Sequence, residues 1–213
     1  MKFEEFIELV PKIQSADLPG KSSHQEIMDI DIRNRIFQNI NHPTPPKESS
    51  VLCLIYPDEY RQSKLVFILR KRNNSHHSGQ IGFPGGKKED QDLSDYETAL
   101  REAEEEVGVN KEKISLVKKL SRVFIPVSNY KVQSFLAFTE EKPLFVKQDE
   151  EVEKILEFKL EDFLLLPKVE IKKTYFDKDY TLYAFQTGKW LIWGATAMIL
   201  SEIVQLIHQA KKA

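Results

Sequence analysis

Between Thr98 and Val109 the chain reads TALREAEEEVGV, which places Glu102, Glu104, Glu105 and Glu106 within five positions. On a helix turning about 100° per residue, Glu102 and Glu106 stack on one face with Glu105 one position away, whereas Glu104 is rotated off the group. Carboxylates three and four residues apart repel one another. Either solvent carries that charge on a surface helix, or a cation belongs beside it. The segment just upstream, NNSHHSGQIGFPGGKKEDQD, holds four of the chain's eight glycines, Gly79, Gly82, Gly85 and Gly86. There the backbone must turn tightly or approach a ligand closely. A glycine loop feeding a carboxylate-bearing helix can gather several oxygens around one point, and hard cations such as Mg²⁺ prefer oxygen ligands. Phosphate chemistry is the use such a site suggests.

The helix that must carry the glutamates has its own boundaries. Ser94 or Asp95 can cap it, Glu97 falls in its first turn and Gly108 stops it. Tyr96, Leu100, Ala103 and Val107 then share one face, with Glu102, Glu105 and Glu106 on the opposite one. Before the glycine segment, SVLCLIY and KLVFILRKR read as two buried strands; after the helix, ISLVKKLSRVFIPV, KVQSFLAFTE and ILEFKL are strand-like. VEIKKTYF and YTLYAFQ form a hairpin, and WLIWGATAMILSEIVQLIHQA closes the chain as a helix. At the other end, Phe3, Phe6, Ile7 and Val10 recur at helical spacing. The proline-rich stretch NHPTPPKESS, Asn41 to Ser50, reads as a linker. It divides an N-terminal helical extension, 1–45, from a main body, 46–213. This order of helices between strand groups specifies an α/β class with a mixed sheet covered by helices.

Charged residues make up 30% of the 213 and hydrophobic ones 41%, which excludes a disordered chain and a coiled coil. With 31 basic and 33 acidic side chains, no general nucleic-acid binder is expected. Acids interrupt the N-terminal apolar stretch, so it does not read as a secretory signal. The apolar WLIWGATAMIL segment falls well short of the roughly twenty residues a membrane span needs. A cytoplasmic protein without membrane partners is the expectation. The lone cysteine, Cys53, reads as a small buried hydrophobe on a strand.

Gly85 to Val109 resembles the signature of Nudix hydrolases. That signature runs glycine, five residues, glutamate, seven residues, then Arg-Glu, an apolar residue, any residue, Glu-Glu, any residue, glycine and an apolar residue. Arg101, Glu102, Ala103, Glu105, Glu106, Gly108 and Val109 match the second half. In the first half, five residues after Gly86 lead to Asp92 instead of glutamate, and eight residues separate Asp92 from Arg101. The coenzyme A pyrophosphatase branch of the family shares that aspartate and extra residue. Its upstream signature is similar to HSGQIGFPGG, His77 to Gly86, although Asn74 stands where the branch usually carries leucine. IPVSNYKV, DEEVEKILEFKLEDFL and IWGATAMIL extend the resemblance to roughly residues 48 to 205.

The resemblance implies a Nudix α/β/α sandwich and Mg²⁺- or Mn²⁺-dependent hydrolysis of coenzyme A or its acyl derivatives. Hydrolysis of ADP-ribose, NADH or another nucleoside diphosphate derivative is an alternative, and a noncatalytic ligand-binding Nudix domain is another. It implies Glu102, Glu105, Glu106 and the Gly86 carbonyl as metal ligands. Arg101 would orient the glutamates through a bidentate ion pair, and Glu151 in DEEV is the candidate general base. Arg70 and Arg72, at a strand end, are candidates for the phosphates, with His77, Gln80 and Tyr130 lining the substrate pocket. Trp190 and Trp193 read as packing residues. The N-terminal helix could cap the pocket, join two copies as a homodimer or pack on the body.

Overall fold

Phe3, Phe6 and Ile13 form one buried stripe of α1 (Phe3–Ser15) in the computed structural model, which describes residues 1–38, 40–72 and 77–213. The Glu5 carboxylate accepts the Lys2 N–H at 3.0 Å and fastens the first turn. Two short helices follow, α2 (Lys21–Gln25) and α3 (Ile30–Phe37). Asp29 caps α3 by accepting the Asp31 N–H at 2.8 Å.

Two apolar runs become β1 (Lys47–Pro57) and β2 (Ser63–Arg70), and the glycine segment contributes β3 (Ile81–Gly82) and β4 (Gly85–Lys87). The glutamate helix is α4 (Asp95–Val107). Beyond it lie β5 (Ser115–Lys119), β6 (Val123–Ile125), β7 (Tyr130–Phe138), β8 (Val152–Lys159) and α5 (Leu160–Leu165). The chain closes with β9 (Val169–Tyr175), β10 (Lys178–Thr187), β11 (Trp190–Ile192) and α6 (Gly194–Lys212). β1 is central: it runs parallel to β7 from Lys47↔Tyr130 to Ile55↔Phe138, and antiparallel to β2 and β4. β3 and β8 flank β2, β5 and β6 pair with β7, and β9 to β11 form a separate three-stranded sheet.

Side chains alternate between the two faces of a strand, and both faces of β1 and β2 are apolar. Leu52, Leu54, Tyr56, Val66 and Ile68 meet Ala99, Ala103 and Val107 of α4. Cys53, Ile55, Leu65 and Phe67 join a cluster with Phe3 and Phe6 of α1 and Ile199, Leu200 and Ile203 of α6. Helices therefore cover both faces of a mixed sheet. Of the three roles open to the N-terminal helix, packing on the body is the one visible here. Cys53 is a buried strand residue, and burial pushes its thiol pKa up.

Two expectations are corrected. The closing helix does not begin at Trp190: Gly188 (φ 55) turns the chain, β11 pairs back on β10 (Phe185↔Ile192), and α6 starts at Gly194 (φ 64). The linker is also shorter than expected, because parallel pairing with β7 draws Lys47 to Ser50 into β1. Among the described residues no helix is long and apolar enough to cross a membrane.

Candidate functional site

Ser94 selects the start of α4: its hydroxyl accepts the Glu97 N–H at 3.1 Å. Gly108, at φ 73, ends it. Between these caps, Ala99, Ala103 and Val107 dock on β1, and Glu106 is buried with them at 2% exposure. The expected segregation of all three glutamates onto one outward face is therefore wrong. Polar backbone provides the reason. The Gly85 N–H donates to Glu106 Oε2 at 2.7 Å, and Arg70 Nη1 lies 3.4 Å from Oε1 while its Nη2 donates to the Gly85 carbonyl at 2.8 Å. Burial still pushes the Glu106 carboxyl up to about 7, against the pull of Arg70 and the Gly85 N–H; the charges of Glu102 and Glu151 add to the rise.

Glu102 is the next most enclosed of the four. Burial raises its pKa, Arg101 opposes the rise, and Glu105 and Glu151 reinforce it. Glu105 is exposed, and Glu104 pairs with Lys111 at 3.1 Å at the surface, where it was expected. Arg101 ties the cluster together, though not as anticipated. Its bidentate partner is Asp92, with Nε–Oδ1 2.9 Å and Nη2–Oδ2 3.0 Å. The glutamates share only Nη1, at 3.0 Å from Glu102 and 3.1 Å from Glu105. The guanidinium bonds to Asp92, helped by the Glu89 N–H and the Thr98 hydroxyl, hold that carboxyl far below the ordinary aspartate range.

Of these groups Arg70, Gly85 and Glu102 border a cavity of about 490 Å³, whose lining does not include Arg101, Glu105 or Glu106. Gly85, Gly86, Arg70, Glu102 and Glu151 line its acidic part, with His77, Gln80 and Tyr130 nearby on its wall. His77 contacts Gln80 at 3.2 Å and the Ser128 hydroxyl at 3.0 Å through its two ring nitrogens. Glu151 sits on a turn pinned by Lys71, whose N–H donates to its carbonyl at 2.9 Å. Arg72 is exposed and does not line the cavity. Arg70 lines it but is committed to Glu106 and Gly85. Asn74 lies outside the described residues. Trp193, expected to be packing, instead lines the cavity, as does Thr196, whose hydroxyl donates to the Ile81 carbonyl at 3.0 Å. The signal available for Trp193 was its place immediately before a glycine that starts a helix. A groove of about 670 Å³ near α3 contains none of the candidate site residues.

The two adjacent glycines have separable jobs. A Cβ on Gly85, at φ 151, would stand 2.3 Å from the Ser50 carbonyl oxygen. One on Gly86 would stand 2.4 Å from the Glu102 carboxylate. Backbone cannot move aside, so Gly85→Ala is expected to lose roughly 2–4 kcal/mol of stability. A side chain can, so Gly86→Ala should keep most of its stability while displacing Glu102. Denaturant titration beside a turnover assay separates the two; equal stability losses would contradict the assignment.

Residues 46–179 match the NUDIX domain model, and the chain belongs to the Nudix family. It is 29% identical over 178 residues to Nudix hydrolase 15, mitochondrial, of Arabidopsis thaliana, covering 79% of this chain and 61% of that one. The chain thus spans about six-tenths of that relative's length. With the peroxisomal coenzyme A diphosphatase ndx-8 of Caenorhabditis elegans it shares 30% identity over 155 residues, 72% of this chain and 65% of the relative. The MutT/nudix family protein from Enterococcus faecalis superposes with a TM-score of 0.52 at 20% identity, over 88% of this chain and 74% of that one. That likeness is one of fold.

Proposed function

We propose that this chain hydrolyses the pyrophosphate bond of coenzyme A or its acyl derivatives, giving 3′,5′-ADP and 4′-phosphopantetheine or its acyl form. The observation that carries the reading is the junction of two motifs in one cavity. His77 and Gln80 share it with Glu102, the Gly85 N–H donates to Glu106, and Gly86 leaves no room for a Cβ beside the Glu102 carboxylate. The name of the Caenorhabditis relative supports the same substrate.

Mg²⁺ or Mn²⁺ fits this donor set. The carboxylates are hard oxygen donors, and the raised pKa values of Glu102 and Glu106 reflect negative charge crowded in a poorly solvated place. Among the described residues no three acids, histidines or cysteines stand together as a finished ligand cluster; Arg101 contacts Glu102 and Glu105, and Arg70 contacts Glu106. Glu102, Glu105 and Glu106 would hold the ion, with the Gly86 carbonyl. When bound there, such an ion would supply neutralisation of the pyrophosphate oxygens and Lewis acidity toward water.

The remaining roles fall to side chains. Arg101 positions Glu102 and Glu105 through Nη1 while its other two nitrogens are fixed on Asp92. Arg70 holds Glu106 and Gly85, and its charge faces the cavity where phosphate oxygens arrive. The Glu151 carboxylate takes the proton of the attacking water as the water oxygen bonds to phosphorus and the bridging P–O bond breaks. His77, Gln80 and Tyr130 orient the substrate. Incubation with Mg²⁺ and a panel of coenzyme A, acetyl-coenzyme A, ADP-ribose and NADH tests the reading. A kcat/KM preference for a coenzyme A species of about tenfold or more is expected; faster turnover of ADP-ribose or NADH overturns it.

A further inference from the structure

We propose that Trp193 is the base platform of the cavity, the surface on which the nucleobase of the substrate's nucleotide half stacks, with Lys173 as a positive charge behind it. This rests on the nucleotide reading above and adds which end of the substrate lies where. The cavity is chemically divided. Its acidic part is built from Glu102, Glu151 and the Gly85–Gly86 backbone, whereas Ile125, Tyr130, Trp193 and Ile199 add aromatic and aliphatic surface elsewhere in the lining, beside the polar His77, Gln80 and Thr196. A pyrophosphate held at the acids leaves one flanking group of the substrate against these rings.

Two observations favour the nucleotide over the pantetheine arm. The first is charge. Lys173 Nζ sits 4.0 Å from the centroid of the Trp193 ring, and Lys47 Nζ sits 5.8 Å from that of Tyr130. Among the described residues neither ammonium has an ion-pairing carboxylate. Lys47 shares its groove with Glu48, Glu89 and Asp90, so the positive charge that counts is that of Lys173 against the Trp193 ring, which suits an anionic nucleotide better than a neutral amide chain. Lys173 does not itself line the cavity, so its ammonium does not occupy the wall that Trp193 offers to the substrate.

The second is rigidity. Trp193 is the N-cap residue of α6, directly after β11, whose Ile192 pairs with Phe185. Three residues on, Thr196 is bonded to β3. An indole whose backbone is anchored on both sides loses less freedom when a base stacks on it than one on a loose loop would.

Trp190 and Trp193 are the two tryptophans of the chain, so Trp190→Phe leaves Trp193 as the only indole. In that variant, with EDTA present, 3′,5′-ADP should quench the emission saturably and 4′-phosphopantetheine should not. Trp193→Leu should raise KM by about tenfold with kcat within about threefold of the parent, since stacking is lost and the acids are untouched. Trp193→Phe should recover part of the loss, and Lys173→Met should raise KM by about threefold. Unchanged emission with 3′,5′-ADP, or quenching by phosphopantetheine equal to or greater than that by 3′,5′-ADP, overturns the proposal. If Trp193→Leu fails to fold, the emission titration and the Phe variant still decide it. Quenching without hydrolysis of any coenzyme A species would sink the functional reading alone, and hydrolysis without quenching would sink the base platform alone.

Discussion

Glu106→Gln is expected to lower kcat by about 10²–10³-fold or more while the variant, freed of metal, melts at or above the parent at pH 8. Both effects come from one buried charge. In the unfolded chain the carboxyl releases its proton near its ordinary 4.5, and in the fold it keeps it to about 7. Between those values the folded chain binds more protons than the unfolded one, so stability falls as pH rises through the window and the full penalty stands above it. A shift of that size corresponds to about 3 kcal/mol. Glutamine keeps an oxygen to accept the Gly85 N–H and carries no charge to desolvate, but it gives up the 3.4 Å approach to Arg70, which offsets part of the gain. At pH 5 the folded carboxyl is protonated and little of the penalty remains, so most of the advantage should be gone. Saturating Mg²⁺ or Mn²⁺ should raise the melting temperature of the parent by mass action, and that of the variant less. Thermal melts at pH 5 and pH 8, with EDTA and with metal, check each step. Undiminished turnover, or an equal metal response in the variant, would remove Glu106 from the ligand set.

Regular elements were legible because they rest on local signals. Alternation and apolar runs gave β1, β2 and β7, and Ser94 and Gly108 bounded α4. What local signals could not give is what lies across from a residue. Helix periodicity put Glu106 with the outward charges, since nothing in its own turn shows that Gly85 and Arg70 arrive from other elements to receive it. The same blindness applies to Arg101. A fork beside four glutamates predicts a glutamate pair, yet the loop after Gly86 folds back and presents Asp92 first. Trp193 was misassigned because a tryptophan in an apolar run reads as core, and only the pairing of β11 on β10 shows that the helix begins one residue later and turns the indole to the cavity. Asp29 and α3 escaped notice for another reason: an eight-residue helix after a short turn carries too little periodicity to stand out.

Arg101→Met should cost about 3 kcal/mol of stability, the low end for stranding a buried charge because the pair lies near the surface, and lower the melting temperature by roughly 6–12 °C. Asp92 is 8% exposed, and without the guanidinium its charge keeps only the Glu89 N–H and the Thr98 hydroxyl. Asp92→Asn should cost less, since Arg101 retains Glu102, Glu105 and the Lys87 carbonyl. The double variant should then lose less than the two singles added together, the surplus being the coupling within the pair. Turnover separates shape from charge. Arg101→Lys keeps the charge, but one ammonium cannot span Asp92 and both glutamates, so kcat should fall although the loop stays anchored better than in Arg101→Met. The pH dependence has a definite sign. Asp92 titrates below its ordinary 3.8 in the fold, so its contribution is complete above that value and is lost as pH falls toward the depressed one. The Arg101→Met deficit should accordingly be largest near pH 7 and shrink toward pH 3. A deficit equal at both would mean that the packing of the guanidinium, and not its charge, holds the glycine loop against α4.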